Sequence, residues 1–245
     1  MGENPPYKTE FPGLNASNVV PQAELLQNRW SVTMEQWGKS MKNAVADIAD
    51  MVSVGLGLPA DTFTQAGRFG PHLLAPTASD LLKYGKKNTI LAGFHSDLNF
   101  LTIHGRSRYP GLNIWARNAG KRIPVKIPEG NNLLVQAGKQ LEHITGGLIK
   151  AGFHEVVVNE QTLATIEQRQ RAFPDRPLIR ISSTFFWHLS SDYELVSIPL
   201  LLDKATALRA AKAKDGISDG EEVYYEPMKV GQQVRNELKH IALMV

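Results

Sequence analysis

The chain has 245 residues, of which 42% are hydrophobic and 21% charged, with a formal net charge of +3. Those proportions suit an ordinary globular protein with enough apolar material to bury a core. The small charge surplus, spread along the chain, gives no argument for a nucleic-acid partner, and none is expected. Cysteine is absent, which excludes disulfides and thiolate metal sites and leaves histidine and carboxylate as the available metal ligands.

The opening "MGENPPYKTE" lacks the apolar stretch of a secretory signal, and no apolar run is long enough to span a bilayer. Pro6 stands where a myristoylation signal needs Ser or Thr. The expectation is a soluble, cytoplasmic protein without a membrane partner. After an irregular Pro/Gly/Asn-rich start, the pattern from Pro21 to Gly55 is helical. Met34, Trp37, Met41, Val45, Ile48 and Val52 recur every three or four positions and make one apolar stripe, read as core packing. Gly55, Gly57 and Pro59 signal its stop. Two phosphate-binding look-alikes fail here. "GLGLPA" ends a helix instead of joining a strand to one, and "WGKS" has Thr33 where a P-loop needs its first glycine.

After Gly70 the texture changes to short β-rich runs: "HLLAPT", "TILAGFH", "NFLTIHG", "LNIWA", "RIPVKI", "NNLLVQA", "HEVVV" and "LIRISSTFFWH". Eight short strands predict a sandwich, barrel or jelly roll. "QTLATIEQRQRAF" reads as a helical or loop insertion. Past Leu202, "DKATALRAAKAK" is helical, and "VGQQVRNELKHIALMV" is amphipathic through Val230, Val234, Leu238 and Ile241. No internal repeat stands out. The layout expected is one domain: residues 1–66 as an irregular segment and long helix, 67–202 as a β core with an insertion near 159–177, and 203–245 as a helical end.

Chemistry concentrates at the end of "TILAGFHSD". His95 and Asp97 are i and i+2, so in a strand an imidazole and a carboxylate share a face. A third ligand must come from elsewhere, and His143 and His154 both qualify. His154 is favoured because it opens the rigid run "HEVVV". Two histidines and one carboxylate leave coordination positions open, as Fe(II) oxygen chemistry requires, whereas a structural zinc site closes its shell. Arg180 and Ser182 form a second i, i+2 pair in an apolar strand. Pointing inward, they make a carboxylate pocket, because a buried guanidinium needs an anion. Pointing outward, Arg180 is solvated while Ile179 and Ile181 face the core.

The order His95-Ser-Asp97, then "LEHITGGLIKAGFHEV" with His154, then Arg180-Ile-Ser182 resembles the iron and 2-oxoglutarate-dependent dioxygenases of the isopenicillin N synthase-like group. The likeness runs from about Gly13 to the C-terminus and takes in the long helix with "GLGLP" and the late "GQQVRNEL". The resemblance implies a mainly β fold with flanking helices and a double-stranded β-helix (jelly roll, cupin-like) core. It implies that His95, Asp97 and His154 hold Fe(II), and that Arg180 and Ser182 anchor the distal carboxylate of 2-oxoglutarate. It also implies O₂ as co-substrate, ascorbate as an optional addition, and hydroxylation or desaturation of a small-molecule substrate. Two alternatives stay open: an iron oxidase of the same fold that needs no 2-oxoglutarate, and a non-catalytic β-helix binding protein.

The chain departs from that group's pattern at several places. "LLAP" puts Leu73 and Ala75 where Asn and Tyr are common, Glu155 follows the distal histidine where Arg is usual, and Arg180 lies 26 positions beyond His154, farther than usual. Such relatives commonly begin with a further segment that pairs with the core, and a truncated form or a fragment is one reading of this later start, left open by the sequence. His104 is placed at a strand end near the pocket mouth, and His72, His188 and His240 at the surface or core edge. Arg106, Arg108 and Arg117 read either as a solvated rim or as recognition of a substrate carboxylate. Trp115 and Trp187 are read as core.

Overall fold

The computed structural model describes residues 5–117, 120–215 and 223–240. Its longest helix, α1 (Glu24–Leu56), has 33 residues. It ends at Gly57, whose φ of 83° lets the chain turn left-handed while its N–H caps Ser53 and Val54. Met41, Val45 and Ala49 are buried at four-residue spacing, with Ile48 and Val52 packed beside them. Trp37 departs from the expected stripe. It is 40% exposed, and its indole N–H donates to Ser183 Oγ at 2.9 Å. A six-residue helix that the pattern does not announce, α2 (Thr62–Gly67), buries Phe63 against the same core.

Each of the eight expected strands forms. The sequence continues through β1 (Leu73–Asp80), a one-turn α3 (Leu81–Tyr84), β2 (Ile90–Ser96), β3 (Leu101–His104), β4 (Leu112–Ala116), β5 (Lys121–Pro124) and β6 (Leu134–Ala137). A short α4 (Lys139–Ile144) precedes β7 (Phe153–Val157). The insertion is α5 (Glu160–Ala172), opened by a capping box between Asn159 and Thr162. Then come β8 (Ile179–Trp187), a two-residue β9 (Glu194–Leu195), α6 (Pro199–Lys214), β10 (Met228–Lys229) and α7 (Val230–His240). Proline at the first turn starts α6 at Pro199, four residues ahead of the expected Asp203. In α7, Val230 and Val234 are buried and Leu238 packs against the core; Ile241 lies outside the described residues.

Two antiparallel four-stranded sheets result, ordered β1-β8-β3-β6 and β2-β7-β4-β5. This is the double-stranded β-helix. The side chains of β8 explain why α1 lies where it does. Phe185 and Trp187 point outward into the cluster with Met41, Val45 and Phe63, while Arg180, Ser182, Thr184 and Phe186 face the space between the sheets. A sheet whose outer face is apolar must be covered, and a long amphipathic helix covers it. The inner face is thereby released for polar chemistry.

A candidate metal centre in the cavity between the sheets

β2 and β7 pair antiparallel with His95 directly opposite His154. Their ring centroids are 4.2 Å apart. Asp97 Oδ1 lies 3.6 Å from His95 Nε2 and 3.8 Å from His154 Nε2. The three ligand atoms fall within 4.8 Å of one another and could hold a metal ion. Both rings are held from behind. His95 Nδ1 lies 2.7 Å from the Gly93 carbonyl, which takes its proton and leaves Nε2 turned to Asp97. His154 has the Gln136 amide nitrogen 2.9 Å from its Nδ1.

The two histidines sit in the same tetrapeptide, Ala-Gly-Phe-His, at 92–95 and 151–154. Across the strand pair the two phenylalanines stack, Phe94 on Phe153, at 4.8 Å and 12°. This short repetition is a further sequence signal for His154, beside its place at the head of "HEVVV". His143 goes elsewhere: it is buried in α4, with its ring against Tyr225.

The donor set fits a divalent ion. Burial, opposed by Asp97, lowers the His154 pKa to about 4, so the imidazole is neutral at neutral pH, the charge state a metal ligand requires. Asp97 is 5% exposed, and its Oδ2 has no hydrogen-bond partner among the described residues. A buried carboxylate oxygen left unpaired is costly unless a cation completes it. Two nitrogens and an oxygen on one side suit Fe(II) and leave room for further ligands.

Arg180 faces inward. It is 8% exposed, while Ile179 and Ile181 are 39% and 59% exposed. The strand thus presents its polar side to the cavity, the reverse of the outward reading. Burial lowers the Arg180 pKa, and its Nε lacks a partner among the described residues, which marks a place for an anion. The cavity, of about 650 Å³, is lined by the triad together with Arg180 and Ser182. Opposite them in the β1–β8 register stand Ser79 against Arg180 and Thr77 against Ser182, both lining the cavity. Leu73 and Ala75 lie farther along the same face, opposite Phe186 and Thr184. The polar contribution of β1 therefore comes from Thr77 and Ser79, which the match of "LLAP" to the Asn and Tyr places does not reach.

Two more residues stand behind the triad, and of these Gln136 escapes a sequence reading. Gln136 on β6 donates to the Gly152 carbonyl at 2.5 Å, and its Oε1 lies 2.9 Å from His104 Nε2. His104 is buried beside the His154 ring, centroids 5.0 Å apart, so it belongs to the wall behind the triad and not to the mouth. Other expected residues have structural employment. Glu155 turns outward to Arg122, at 3.2 Å, and His72 stacks on the buried Trp187. Trp115 is half-buried against Phe94. Arg117 leaves the group with Arg106 and Arg108: it lies over the Phe153 ring and donates to the Ala151 carbonyl at 2.9 Å.

Residues 72–189, a stretch that contains all five candidate residues, match the model of the 2OG-Fe(II) oxygenase superfamily. That stretch is a 2OG-Fe(II) oxygenase domain. Azadirone synthase LFS from Melia azedarach is 28% identical over 176 residues, which is 67% of this chain and 51% of that enzyme. A protein named peptide transporter imqJ, from Aspergillus flavus, is 29% identical over 62% of this chain but only 30% of its own length. The chain thus spans about half the length, or less, of these curated relatives. Among the described residues no helix is long and apolar enough to cross a membrane. A solved 2OG-Fe(II) oxygenase family protein from Caulobacter crescentus has the same fold, with a TM-score of 0.70 at 21% identity over 98% of this chain and 68% of that one. The cofactors of the superfamily are Fe(II), 2-oxoglutarate and O₂.

Proposed function

We propose that this oxygenase couples the oxidative decarboxylation of 2-oxoglutarate to hydroxylation or desaturation of a small organic substrate. The observation that carries the reading is the placement of a His-Asp-His triad and a buried, inward arginine in one cavity. His95, Asp97 and His154 would hold Fe(II). Arg180, with Ser182 beside it and Thr77 and Ser79 opposite, would take the distal carboxylate of 2-oxoglutarate. When bound, Fe(II) and 2-oxoglutarate supply O₂ activation, releasing CO₂ and succinate and oxidising a substrate C–H bond.

The chain's own contribution is orientation in a shielded space. The guanidinium of Arg180, away from bulk water, offers a planar fork to a carboxylate, and the Ser182 hydroxyl can donate a further hydrogen bond. Gly93 fixes the His95 ring through its carbonyl, and Gln136 with His104 backs the His154 ring. Such support sets ligand direction before any ion arrives.

The test is anaerobic titration with Fe(II) in the presence of 2-oxoglutarate, reading the weak visible charge-transfer band of a keto acid chelated to ferrous iron. A band that vanishes in His154→Ala and weakens in Arg180→Ala is the expected result. Iron binding without the band would instead favour an oxidase that takes no 2-oxoglutarate. Absence of iron binding would leave a β-helix protein without this chemistry.

A further inference from the structure

We infer that the substrate is an organic acid with an apolar body, its acid group held by Arg106, Arg108 and Lys126 at the cavity wall. The inference rests on the oxygenase reading, since it assigns the space left once the triad and Arg180 are engaged.

The three cations come from two connections that meet. After β3 the chain passes Gly105, which lies flush on the Ser183 backbone, where an added Cβ would come within 2.1 Å of the Ser183 carbonyl oxygen. Arg106 follows immediately, so it enters from the wall of the Arg180 sheet. Its guanidinium donates to the Pro128 carbonyl at 3.5 Å, joining this loop to the stretch that carries Lys126. Arg106, Arg108 and Lys126 all line the cavity.

None of the three has an acidic partner among the described residues. Elsewhere arginines find one: Arg122 pairs with Glu155, Arg171 with Glu167, and Arg117 with Glu142. Exposed charges are usually only solvated, and what separates these is their place in a concavity. Asp97 is the sole carboxylate among the residues lining it. A divalent ion and the dianion of 2-oxoglutarate offset each other, as do Asp97 and Arg180. Three positive charges then face unfilled volume, where low-dielectric walls strengthen their field. The same cavity also has an apolar share of wall, through Leu91, Leu112, Val125, Ile127 and Val156. An acid group on a ring or chain that covers these side chains answers both features, and the cavity of about 650 Å³ is within the ordinary range for such ligands.

The experiment uses the full chain under argon with Fe(II) and saturating 2-oxoglutarate, so that Arg180 is occupied. Phenylacetate, cinnamate and 2-naphthoate, each beside its methyl ester, are ranked by ligand-observed NMR. Acids are expected to bind at least about tenfold more tightly than their esters, as a charge-assisted contact implies. The preference should shrink with added salt and collapse in the Arg106→Gln/Arg108→Gln double variant. Esters binding as well as acids, a preference that survives the double variant, or no binding by any panel member would overturn the inference. The charge-transfer band in the same samples separates the two failures. A wild-type band without acid preference overturns this inference alone, and no band in the wild type removes the oxygenase reading and this inference together.

Discussion

Gln136 serves three partners with one amide: the Gly152 carbonyl, the His154 ring and the His104 ring. Replacing it by alanine would leave buried polar groups unpaired and free the His154 ring to turn. Loss of a partner behind a metal ligand typically lowers metal affinity by about 10–100-fold. That is the expectation for Gln136→Ala, measured by anaerobic Fe(II) titration with circular dichroism to confirm the fold. Unchanged affinity would mean that strand geometry alone aims His154. Arg180→Lys is a finer probe. It keeps a cation in the buried position but loses the planar fork, so 2-oxoglutarate affinity should fall by at least about tenfold while Fe(II) affinity is held. Isothermal titration with each ligand reads the split, and equal losses of both would point to a collapsed cavity.

The two Ala-Gly-Phe-His segments are alike in sequence but not in surroundings, and glycine substitution exposes the difference. A Cβ on Gly93 meets nothing within 4 Å, whereas one on Gly152 comes within 2.6 Å of the Gln136 amide. Gly152→Ala should therefore cost about 1–3 kcal/mol of stability through forced repacking, and Gly93→Ala much less, by chemical denaturation. Matching losses would show that both segments are equally tight. Strands and long helices were legible because alternation and three-to-four spacing persist over many residues. The helices at "TFTQAG" and "KQLEHI" were not, being only six residues each, too short for a period to declare itself. The triad was legible because His and Asp are rare on one strand face. The direction of Arg180 was not: Ile179 and Ile181 point outward here, since the inner face is reserved for polar groups and apolar alternation has the opposite sense. Gln136, Thr77 and Ser79 become readable only with the cross-strand register, which one sequence does not contain.

Two histidines away from the triad link stability to pH. His188 has its pKa lowered to about 4 and His72 well below the ordinary 6.5, in both cases chiefly by burial. Folded, they are neutral; unfolded, they take protons below about 6.5. Their contribution is thus fully present above pH 6.5 and is lost as pH falls from there toward about 4. Thermal melts of the metal-free protein across that window should show stability dropping, by on the order of 3 kcal/mol for His188, with a shallower slope in His188→Gln. A flat profile would contradict the burial of these rings. The pairing of β2 has a different consequence. Its register with β7 shifts twice, between Ile90 and Ala92 and again before His95, so His95 is held in phase by little regular ladder. A slip of one residue would turn it to the opposite face. An ion gripped by His95 and His154 would rivet the two strands in one alignment, and hydrogen exchange in residues 90–96 would slow on metal binding by the full free energy of that grip. The catalytic centre would then double as the proofreader of its own strand pairing.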